Sequence, residues 1–297
     1  MLNLLPLLLV NGVVFGSMYA LNAIGFGIMY NTTNIINFTQ GEFVMLGGML
    51  TYVLYAHGHL PIVLAAFGAI AATTVIGCAI ERFTIRPLWR RQAKDWTFIF
   101  MLFAVATVIP NLVMLLISRD PQGLPAFTGA EPLSLGLVRI NPQALWVVSV
   151  TGVLAIGLHG FFNYTLIGKA MKATAVNRRA AAWMGIPVER MVALSFALSA
   201  LLGAIAGVVF TPLISTQFDA GLAFTLKGFA AAIIGGLGNI KGAIFGGLTL
   251  GILEALSTAF VSSLYGDAIT YGILFIILAV RPTGFFRPLV ELRQEEI

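Results

Sequence analysis

The chain has 297 residues, of which 59% are hydrophobic and only 10% are charged, and its formal net charge is +5. Soluble domains average about 25% charged residues, so this composition excludes an ordinary soluble protein and indicates an integral membrane protein. One cysteine, Cys78, excludes a disulfide framework, and three histidines without ligand spacing predict that there is no metal site.

Apolar stretches of membrane-spanning length recur along the whole chain, and no stretch between them is long enough to form a soluble domain. A helix needs about 20 apolar residues to cross the hydrocarbon core of a bilayer. The sequence therefore predicts an all-α fold: a single polytopic transmembrane helix bundle over residues 1–297, with about eight helices and one or two broken or re-entrant segments. The predicted spans are 5–29, 42–58, 60–80, 97–118, 144–164, 191–213, 242–262 and 268–281, and a shorter apolar segment covers 227–239.

The first broken segment, residues 30–43, reads YNTTNIINFTQGEF and carries many polar side chains but no basic residue. Irregular polar backbone at membrane depth is tolerated only where it is buried in protein or lines water, as in the substrate paths of transporters. The alternative is a polar loop at the membrane surface. The candidate path residues of this segment are Asn34, Asn37, Thr39, Gln40 and Glu42.

Basic residues fall in three clusters, in loops 81–96 and 165–190 and after residue 280. Because cytoplasmic loops collect Lys and Arg, these clusters are assigned to the cytoplasmic side and the proline-rich loop 119–143 to the other side. Such a distribution is typical of membrane topology rather than of a nucleic-acid-binding face. Parity then predicts an external N-terminus. Because the C-terminal cluster is also assigned to the cytoplasmic side, the chain must cross an odd number of times after span 191–213. Either 227–239 is then a broken helix inside the protein, or the count of spans is wrong by one.

Segment 167–190, IGKAMKATAVNRRAAAWMGIPVER, is a polar, helix-forming stretch between two apolar spans. As one helix over 169–184 it would place small residues on one side and basic residues on the other. A small-residue face fits the groove of a soluble partner. The alternative is an amphipathic helix that only rests on the membrane.

The second broken segment, residues 226–247, reads LKGFAAAIIGGLGNIKGAIFGG and contains seven glycines. Such a segment can line a path, and the alternative is close helix packing through Gly236, Gly242 and Gly246. Lys227 is an ionisable residue near membrane depth, which is a functional hypothesis by default. The candidate path residues of this segment are Lys227, Gly235, Gly236, Gly238 and Asn239.

The sequence contains no G-x-x-x-x-G-K-[ST] motif and no Ser/His/Asp or Cys/His constellation. It therefore predicts that the chain does not bind ATP through a P-loop and is not an enzyme. A set of carboxylates suited to a proton relay across the membrane is also lacking.

Four segments share their pattern with one known family: NFTQGEFVMLGG at 37–48, GKAMKATAVNRRAAAWMGI at 168–186, KGFAAAIIGGLGNIKGAIFGG at 227–247 and RPTGFF at 281–286. Together they resemble the branched-chain amino acid permeases of ATP-binding-cassette (ABC) transporters, of the LivH type. Ala180, Ala181 and Gly185 also match the general permease motif E-A-A-x-x-x-G, although Arg179 stands where that motif has Glu.

The resemblance implies a transmembrane permease subunit of an importer, which moves branched-chain or related amino acids into the cytoplasm. The implied partners are a second related permease (a heterodimer is favoured), two cytoplasmic ABC ATPases, a periplasmic substrate-binding protein and the lipid of the bacterial inner membrane. The chain itself would hold no cofactor, because ATP and Mg would bind to the ATPases. Segment 167–190 would be the coupling helix. The implied ATPase-coupling residues are Lys169, Lys172, Asn177, Arg178, Arg179, Ala180, Ala181 and Gly185.

A secondary transporter or channel that works alone is the alternative function. It would need intramembrane carboxylates or a selectivity ring, and the sequence offers few residues for either. Among substrates, Leu, Ile and Val, other amino acids, short amides and urea all stay open.

Overall fold

The structure, a computed structural model, describes residues 5–129, 131, 133–135, 138–260, 266–281 and 284–286. This part of the chain is almost entirely helical, which confirms the predicted all-α class, and one short antiparallel hairpin is added in the loop 119–143. Helix α2 continues into a π-helical turn at Val53–His57, and α3 continues through another at Glu81–Ile85 into α4. The elements are α1 (Leu5–Thr33), α2 (Gln40–Tyr52), α3 (Ile62–Ile80), α4 (Arg86–Arg90), α5 (Asp95–Leu116), β1 (Leu133–Leu135), β2 (Val138–Ile140), α6 (Pro142–Tyr164), α7 (Leu166–Val176), α8 (Arg178–Trp183), α9 (Val188–Ile214), α10 (Ala220–Gly235), α11 (Ile240–Phe260) and α12 (Gly266–Val280).

Six helices are long and apolar enough to cross a membrane: α1, α3 with its continuation to Arg90, α5 from Trp96, α6, α9 and α11. Helix α10 and residues Ala268–Ile277 of α12 are apolar but shorter. The eight predicted spans correspond to these six long helices together with α2 and α12, and the additional short segment 227–239 overlaps α10. The chain is therefore a multi-pass membrane protein.

Helix α2 begins inside the bundle instead of at one of its ends. After α1 ends at Thr33, residues 34–39 turn back, and the side chain of Gln40 contacts Gly25 in α1 and Ser199 near the middle of α9. Gly25 lies eight residues before the end of α1, which corresponds to a depth of about 12 Å. Helix α2 has 13 residues and spans about 20 Å, and the π-helical turn at Val53–His57 prolongs it without a break. The predicted span 42–58 is therefore one helix that begins inside the bundle. Because α2 and α10 have 13 and 16 residues, about half as many as α1 and α9, we call them half-length helices.

Helix α10 repeats this arrangement in the opposite direction. Helix α9 ends at Ile214, residues 215–219 turn back, and α10 begins beside the start of α2. From there α10 runs along α1 to a tight turn, where the side-chain amide of Asn31 donates to the carbonyl of Gly238 at 2.7 Å. The predicted apolar segment 227–239 thus belongs to a broken helix inside the protein. This was the first of the two alternatives, the other being a count of spans that is wrong by one.

The units α1–α2–α3 and α9–α10–α11 follow one plan in opposite orientations. Each has a long helix, a return segment, a half-length helix and another long helix. Helix α1 packs on α10 and α11, and α9 packs on α2 and α3. The two long helices run antiparallel, because Phe15 meets Phe210 with ring centroids 5.3 Å apart while Ser199 donates to the carbonyl of Gly25 at 3.0 Å. In transporters with such inverted repeats, the substrate site lies where the repeats meet.

Two of the three predicted cytoplasmic segments, loops 81–96 and 165–190, meet at one end of the bundle, which we call the Arg86 end. Most of the third, after residue 280, lies outside the described residues. Arg86, which begins α4, pairs with Glu189 at the start of α9, with 3.8 Å between nitrogen and oxygen. Arg178 of α8 lies over the ring of Trp89 at 4.7 Å. These contacts bring loops 81–96 and 165–190 together, as predicted from their charge.

The loop 119–143 lies at the opposite end, which we call the Gln122 end. Gln122 exchanges two backbone hydrogen bonds of 2.7 and 2.8 Å with Thr216, just beyond the end of α9. The relative positions of the loops agree with the predicted topology. The assignment of the Arg86 end to the cytoplasm stays a prediction.

Facing glycines hold α1 and α11 in backbone contact. A Cβ atom on Gly16 would lie 2.7 Å from the Cα of Leu248, and one on Gly251 would overlap the backbone nitrogen of Gly16. Gly235 and Gly242 make a similar contact between α10 and α11. Close packing therefore explains much of the glycine-rich segment.

Replacing Gly251 by Ala should destabilise the protein by about 1–3 kcal/mol, because the added methyl group forces two backbones apart. The matched control is Gly157→Ala in α6, where an added Cβ meets nothing within 4 Å. That change should be neutral or slightly stabilising, since Ala is the better helix former. Thermal unfolding of the detergent-purified variants measures both effects. Equal midpoints for the two variants would contradict the packing assigned to α1 and α11.

Candidate functional site

Hydrogen bonds of its own side chains fix the return segment 34–39. The side-chain oxygen of Asn37 accepts from the backbone N–H of Thr39 at 3.0 Å and from its hydroxyl at 2.6 Å. Asn37 and Thr39 are only 1% and 0% exposed, so most of this polar segment is buried in protein and is not a surface loop. Asn34 is the exception, since it is exposed and adopts a φ of 52° at the turn after α1.

Gln40 ties the start of α2 to both long central helices. Its Nε2 donates to the carbonyl of Ser199 at 3.2 Å, and its Oε1 accepts from the Ser199 hydroxyl. Gly25 of α1 leaves the space that the amide group of Gln40 occupies. The buried amide is thereby satisfied at a depth where water is excluded.

The N-terminal ends of α2 and α10 meet at a contact that we call the junction, formed by Gly41, Glu42, Gly221 and Thr225. The Thr225 hydroxyl accepts from the N–H of Gly41 at 3.0 Å and donates to the carbonyl of Phe38 at 3.2 Å. Glu42 is buried, and its carboxyl group packs directly on Gly221, where any Cβ atom would overlap it. One hydroxyl and two glycines therefore allow the two half-length helices to begin side by side.

Two buried polar atoms beside the junction have no hydrogen-bond partner among the described residues: Nδ2 of Asn37 and Oε2 of Glu42. A buried polar group without a partner costs about 1–3 kcal/mol, so such groups call for an explanation. One is a donor, and the other is a carboxyl oxygen.

Lys227 lies one helical turn or less beyond the junction and takes part in an ion pair. Its Nζ is 2.7 Å from Oε1 of Glu254 in α11, and the Tyr19 hydroxyl donates to the other carboxylate oxygen at 2.7 Å. The three side chains join α1, α10 and α11. Since the pair is mostly buried, removing either charge would leave the other uncompensated.

The candidate path residues at 235–239 form a turn at the Arg86 end and do not lie at the junction. Gly236 and Gly238 have φ values of 95° and 87°, which only glycine adopts easily, and they turn the chain from α10 into α11. The side chain of Asn239 caps α11 by accepting from the N–H of Lys241 at 3.0 Å. The structure therefore separates the two groups of candidate path residues, with Asn37 to Glu42 inside the bundle and this turn at its end. Gly236 ends α10 and is not part of the predicted packing face of Gly242 and Gly246.

Residues 169–184 form two helices, so the prediction of one continuous helix is wrong. Helix α7 ends at Val176, and Asn177 is extended, with φ −155° and ψ 106°. Its side-chain oxygen accepts from the N–H of Ala180 at 3.0 Å and caps α8. Asn favours such N-cap positions over helix interiors, and this local bond overrides the helix propensity of its neighbours.

Three of the candidate coupling residues face the body of the protein. Nζ of Lys172 donates to the side-chain oxygen of Asn163 at 2.6 Å. Nε of Arg178 donates to the backbone carbonyl of Thr32, at the end of α1, at 3.2 Å. Ala181 is only 4% exposed. The small-residue face expected to meet a partner is thus partly used to seat α8 on its own chain.

Two large apolar side chains protrude from this segment beside exposed basic residues. Trp183 is 87% exposed and Met184 is 82% exposed, at the end of α8. Lys169, Arg179 and Gly185 are exposed as well, and Ala180 is half-buried. Two large exposed apolar side chains at the Arg86 end indicate a contact surface, for a partner protein or for the membrane interface.

Sequence reasoning missed Ser199, Gly221 and Thr225, although they complete the site. Each is a small residue inside a long apolar run, where one hydroxyl or one missing side chain gives little signal. Only the return of the chain at 34–39 and 215–219 brings them beside Gln40 and Glu42.

Replacing Gly221 by Ala should lower thermal stability, because the added Cβ enters the space of the Glu42 carboxyl group. Glu42→Ala removes that group, so the same glycine substitution should cost less in this background. We expect an interaction energy of about 0.5–3 kcal/mol between the two changes. Thermal unfolding of the wild type, both single variants and the double variant completes the cycle. Strictly additive effects would contradict the contact between α2 and α10.

The chain was compared with known proteins. The family model described as branched-chain amino acid transport system / permease component matches residues 8–278. The chain is 34% identical to the high-affinity branched-chain amino acid transport system permease protein LivH of Escherichia coli (strain K12), over 95% of each chain. It is 33% identical to the corresponding protein BraD of Pseudomonas aeruginosa, over 95% of this chain and 96% of that one. The solved structure of PsaBC from Streptococcus pneumoniae in complex with Fab shares the fold, with a TM-score of 0.50 at 14% identity over 96% of this chain and 94% of that one. The chain therefore belongs to the family of permease components of branched-chain amino acid transport systems.

Proposed function

We propose that this chain is the transmembrane permease subunit of an ABC importer that moves branched-chain amino acids into the cytoplasm. The observation that carries the proposal is the family match along nearly the whole chain. The fold supports it independently, because two inverted repeats with half-length helices enclose a polar centre, as in many transporters. ATP is hydrolysed by partner subunits, and this chain supplies the path.

The junction offers a hydrogen-bond donor and a carboxyl acceptor for the two charged groups of a free amino acid. The Asn37 amide, whose Nδ2 has no partner among the described residues, is a donor for the substrate carboxylate. The Glu42 carboxyl group, whose Oε2 also lacks one there, is an acceptor for the substrate ammonium. The carboxylate and the ammonium group of the substrate lie beside each other in every free amino acid. The apolar side chain of the substrate then packs on the apolar walls around the junction.

The ends of α2 and α10 add to the binding of the carboxylate. A helix N-terminus carries a partial positive charge. Two such ends converge at Gly41 and Gly221. The same return segment contains Asn34 and Thr39, and Gln40 follows it. Lys227 and the turn at 235–239 border the route from the junction to the Arg86 end.

The exposed apolar residues of α8 form the docking surface for the ATPase. Trp183 and Met184 protrude, with Arg179 and Gly185 beside them. Buried aromatic and Met side chains are typical anchors of protein interfaces, whereas exposed basic groups mainly steer the encounter. Residues 167–190 thereby serve as the coupling segment, with α8 as its contact element.

Arg178 connects that docking surface to the substrate path. Its guanidinium group lies over Trp89 and donates to the carbonyl of Thr32. Thr32 lies in the last turn of α1, which is followed directly by the return segment that carries Asn37. A movement of α8 is therefore passed to the end of α1, and ATP binding biases which side of the membrane the junction faces.

The remaining partners follow from the same proposal. A second related permease, in a heterodimer, closes the path, and a periplasmic substrate-binding protein delivers the substrate at the Gln122 end. The complex lies in the bacterial inner membrane, with the Arg86 end in the cytoplasm. The chain binds no cofactor, since ATP and Mg belong to the two ATPase subunits.

Replacing Met184 by Glu should reduce the amount of ATPase that co-purifies with the tagged chain by about tenfold or more, as for an interface anchor. The matched control is Gln92→Glu, which adds the same charge at an exposed residue of the same end. The readout is the ratio of ATPase to permease after a mild detergent pull-down of the co-expressed complex. Undiminished ATPase with the Met184 variant would argue against docking on α8.

Replacing Arg178 by Gln should uncouple the complex without dissociating it. The change removes a charge-assisted hydrogen bond, typically about 1.5–3 kcal/mol, so substrate imported per ATP should fall by about tenfold or more. ATP hydrolysis and co-purification of the ATPase should persist. Arg179→Gln, at the exposed neighbour, should leave the ratio of transport to hydrolysis unchanged. Uptake by proteoliposomes and phosphate release give both quantities, and an unchanged ratio in the Arg178 variant would refute this route of coupling.

A further inference from the structure

The C-terminal motif RPTGFF, residues 281–286, returns to the turn between α10 and α11 at the Arg86 end. The backbone N–H of Phe285 donates to the carbonyl of Ile234 at 2.9 Å, and that of Phe286 donates to the carbonyl of Gly235 at 3.2 Å. These carbonyls belong to the last two residues of α10, and the last C=O groups of a helix have no partners within the helix. The end of α10 is therefore capped by a distant segment of the chain.

One glycine and three phenylalanines fit this segment to α10 and α11, in an arrangement that we call the tail contact. Gly284 has a φ of 76°, and a Cβ atom on it would overlap the carbonyl oxygen of Ile233. The rings of Phe285 and Phe286 pack against the ring of Phe245 in α11, with centroid distances of 5.4 and 5.6 Å. Only glycine allows the backbone of the tail to approach α10 this closely.

The turn beside the tail contact is built from glycines. Gly236 and Gly238 have positive φ values, and Gly235 packs on Gly242. Glycine backbones change conformation at little cost, so such a turn can serve as a hinge unless other contacts fix it. Two contacts do so: the tail contact at the end of α10, and the hydrogen bond that the Asn31 side chain donates to the carbonyl of Gly238.

The tail contact is only partly buried. Phe285 is 44% exposed, Phe286 is 37% exposed and Phe245 is 42% exposed. Regions with few buried apolar contacts and exposed backbone hydrogen bonds open locally at a small part of the free energy of unfolding. The tail contact can therefore open while the helix bundle stays folded.

We propose that the tail contact closes the inner end of the substrate path and opens in every transport cycle. This inference rests on the proposed function, because it takes the turn at 235–239 as the border of the route to the Arg86 end. While the tail contact is formed, α10 and α11 stay packed together at this turn and the route is closed. When the tail contact opens, the glycine turn moves and the route opens to the Arg86 end.

A reversible crosslink tests whether the tail contact must open. Phe245→Cys and Phe286→Cys are combined in a Cys78→Ser background, and a short bifunctional thiosulfonate joins the two thiols in the assembled complex. In proteoliposomes the crosslinked complex should import leucine at least about tenfold more slowly, because a required opening is blocked. Reduction with dithiothreitol should restore import. Each single-cysteine variant, treated in the same way, should import at its untreated rate.

The comparison uses one protein before and after reduction, so the loss of two rings cannot explain a difference. Unchanged import by the crosslinked complex, with the crosslink confirmed by mass spectrometry, would overturn the proposal. Import of leucine by the wild-type complex tests the proposed function separately. If the wild type imports leucine, the proposed function stands whatever the crosslink does.

A second experiment needs neither transport nor ATPase. Gly284→Ala places a Cβ atom against Ile233 at a positive φ and should weaken the tail contact, whereas an added Cβ at Gly272 in α12 meets nothing within 4 Å. Leu237→Cys, half-buried in the turn, supplies the reporter thiol in the purified Cys78→Ser chain. A water-soluble thiosulfonate should label it at least about fivefold faster with Gly284→Ala than with Gly272→Ala. Equal rates, with both variants folded in a thermal scan, would contradict the proposal.

Discussion

The structure depends on one constraint: two helices begin inside an apolar bundle, where water cannot satisfy their free N–H groups. The chain meets this constraint with its own side chains. Thr225 accepts from the start of α2, and Asn37 holds the return segment that leads there. Gly41 and Gly221 let the two ends approach closely. The long helices α1 and α9 must then offer flat, close-fitting surfaces, which the glycines and small hydroxyl residues along them provide.

In this inverted arrangement, the two half-length helices lead away from the polar junction in opposite directions. Helix α2 leads from it to the Gln122 end, and α10 leads from it to the Arg86 end. Under the proposed function, a substrate at the junction would lie where both half-paths begin, and small shifts of either repeat would change which half is open. The end of α1 is the element that both regions share, since it precedes the return segment and accepts a hydrogen bond from Arg178. In the proposed mechanism, two packed arrangements of that contact would be enough for alternating access.

Composition and charge predicted the class of protein, the approximate spans and the common end of the basic loops, because these depend on the bilayer alone. The two broken segments could also be predicted, since polar or glycine-rich stretches stand out in an apolar chain. Their partners could not, because Ser199 and Thr225 become important only through contacts between distant parts of the chain. The split at Asn177 was missed because a single side-chain cap outweighed a run of good helix formers. The sequence pattern also does not predict which coupling residues face inward. That depends on how α8 packs against the rest of the chain.

The central claim is that the junction lines the substrate path, and the accessibility of a single thiol there tests it most directly. Asn37→Cys, made in a Cys78→Ser background, would be exposed to a small water-soluble thiosulfonate in the assembled complex, with and without ATP, substrate and binding protein. Val44→Cys, buried between α2 and α9, is the matched control. If the junction lines the substrate path, position 37 is labelled in at least one state, substrate slows the labelling, and position 44 stays unlabelled. Position 37 remaining as inert as position 44 in every state would contradict a path through the junction.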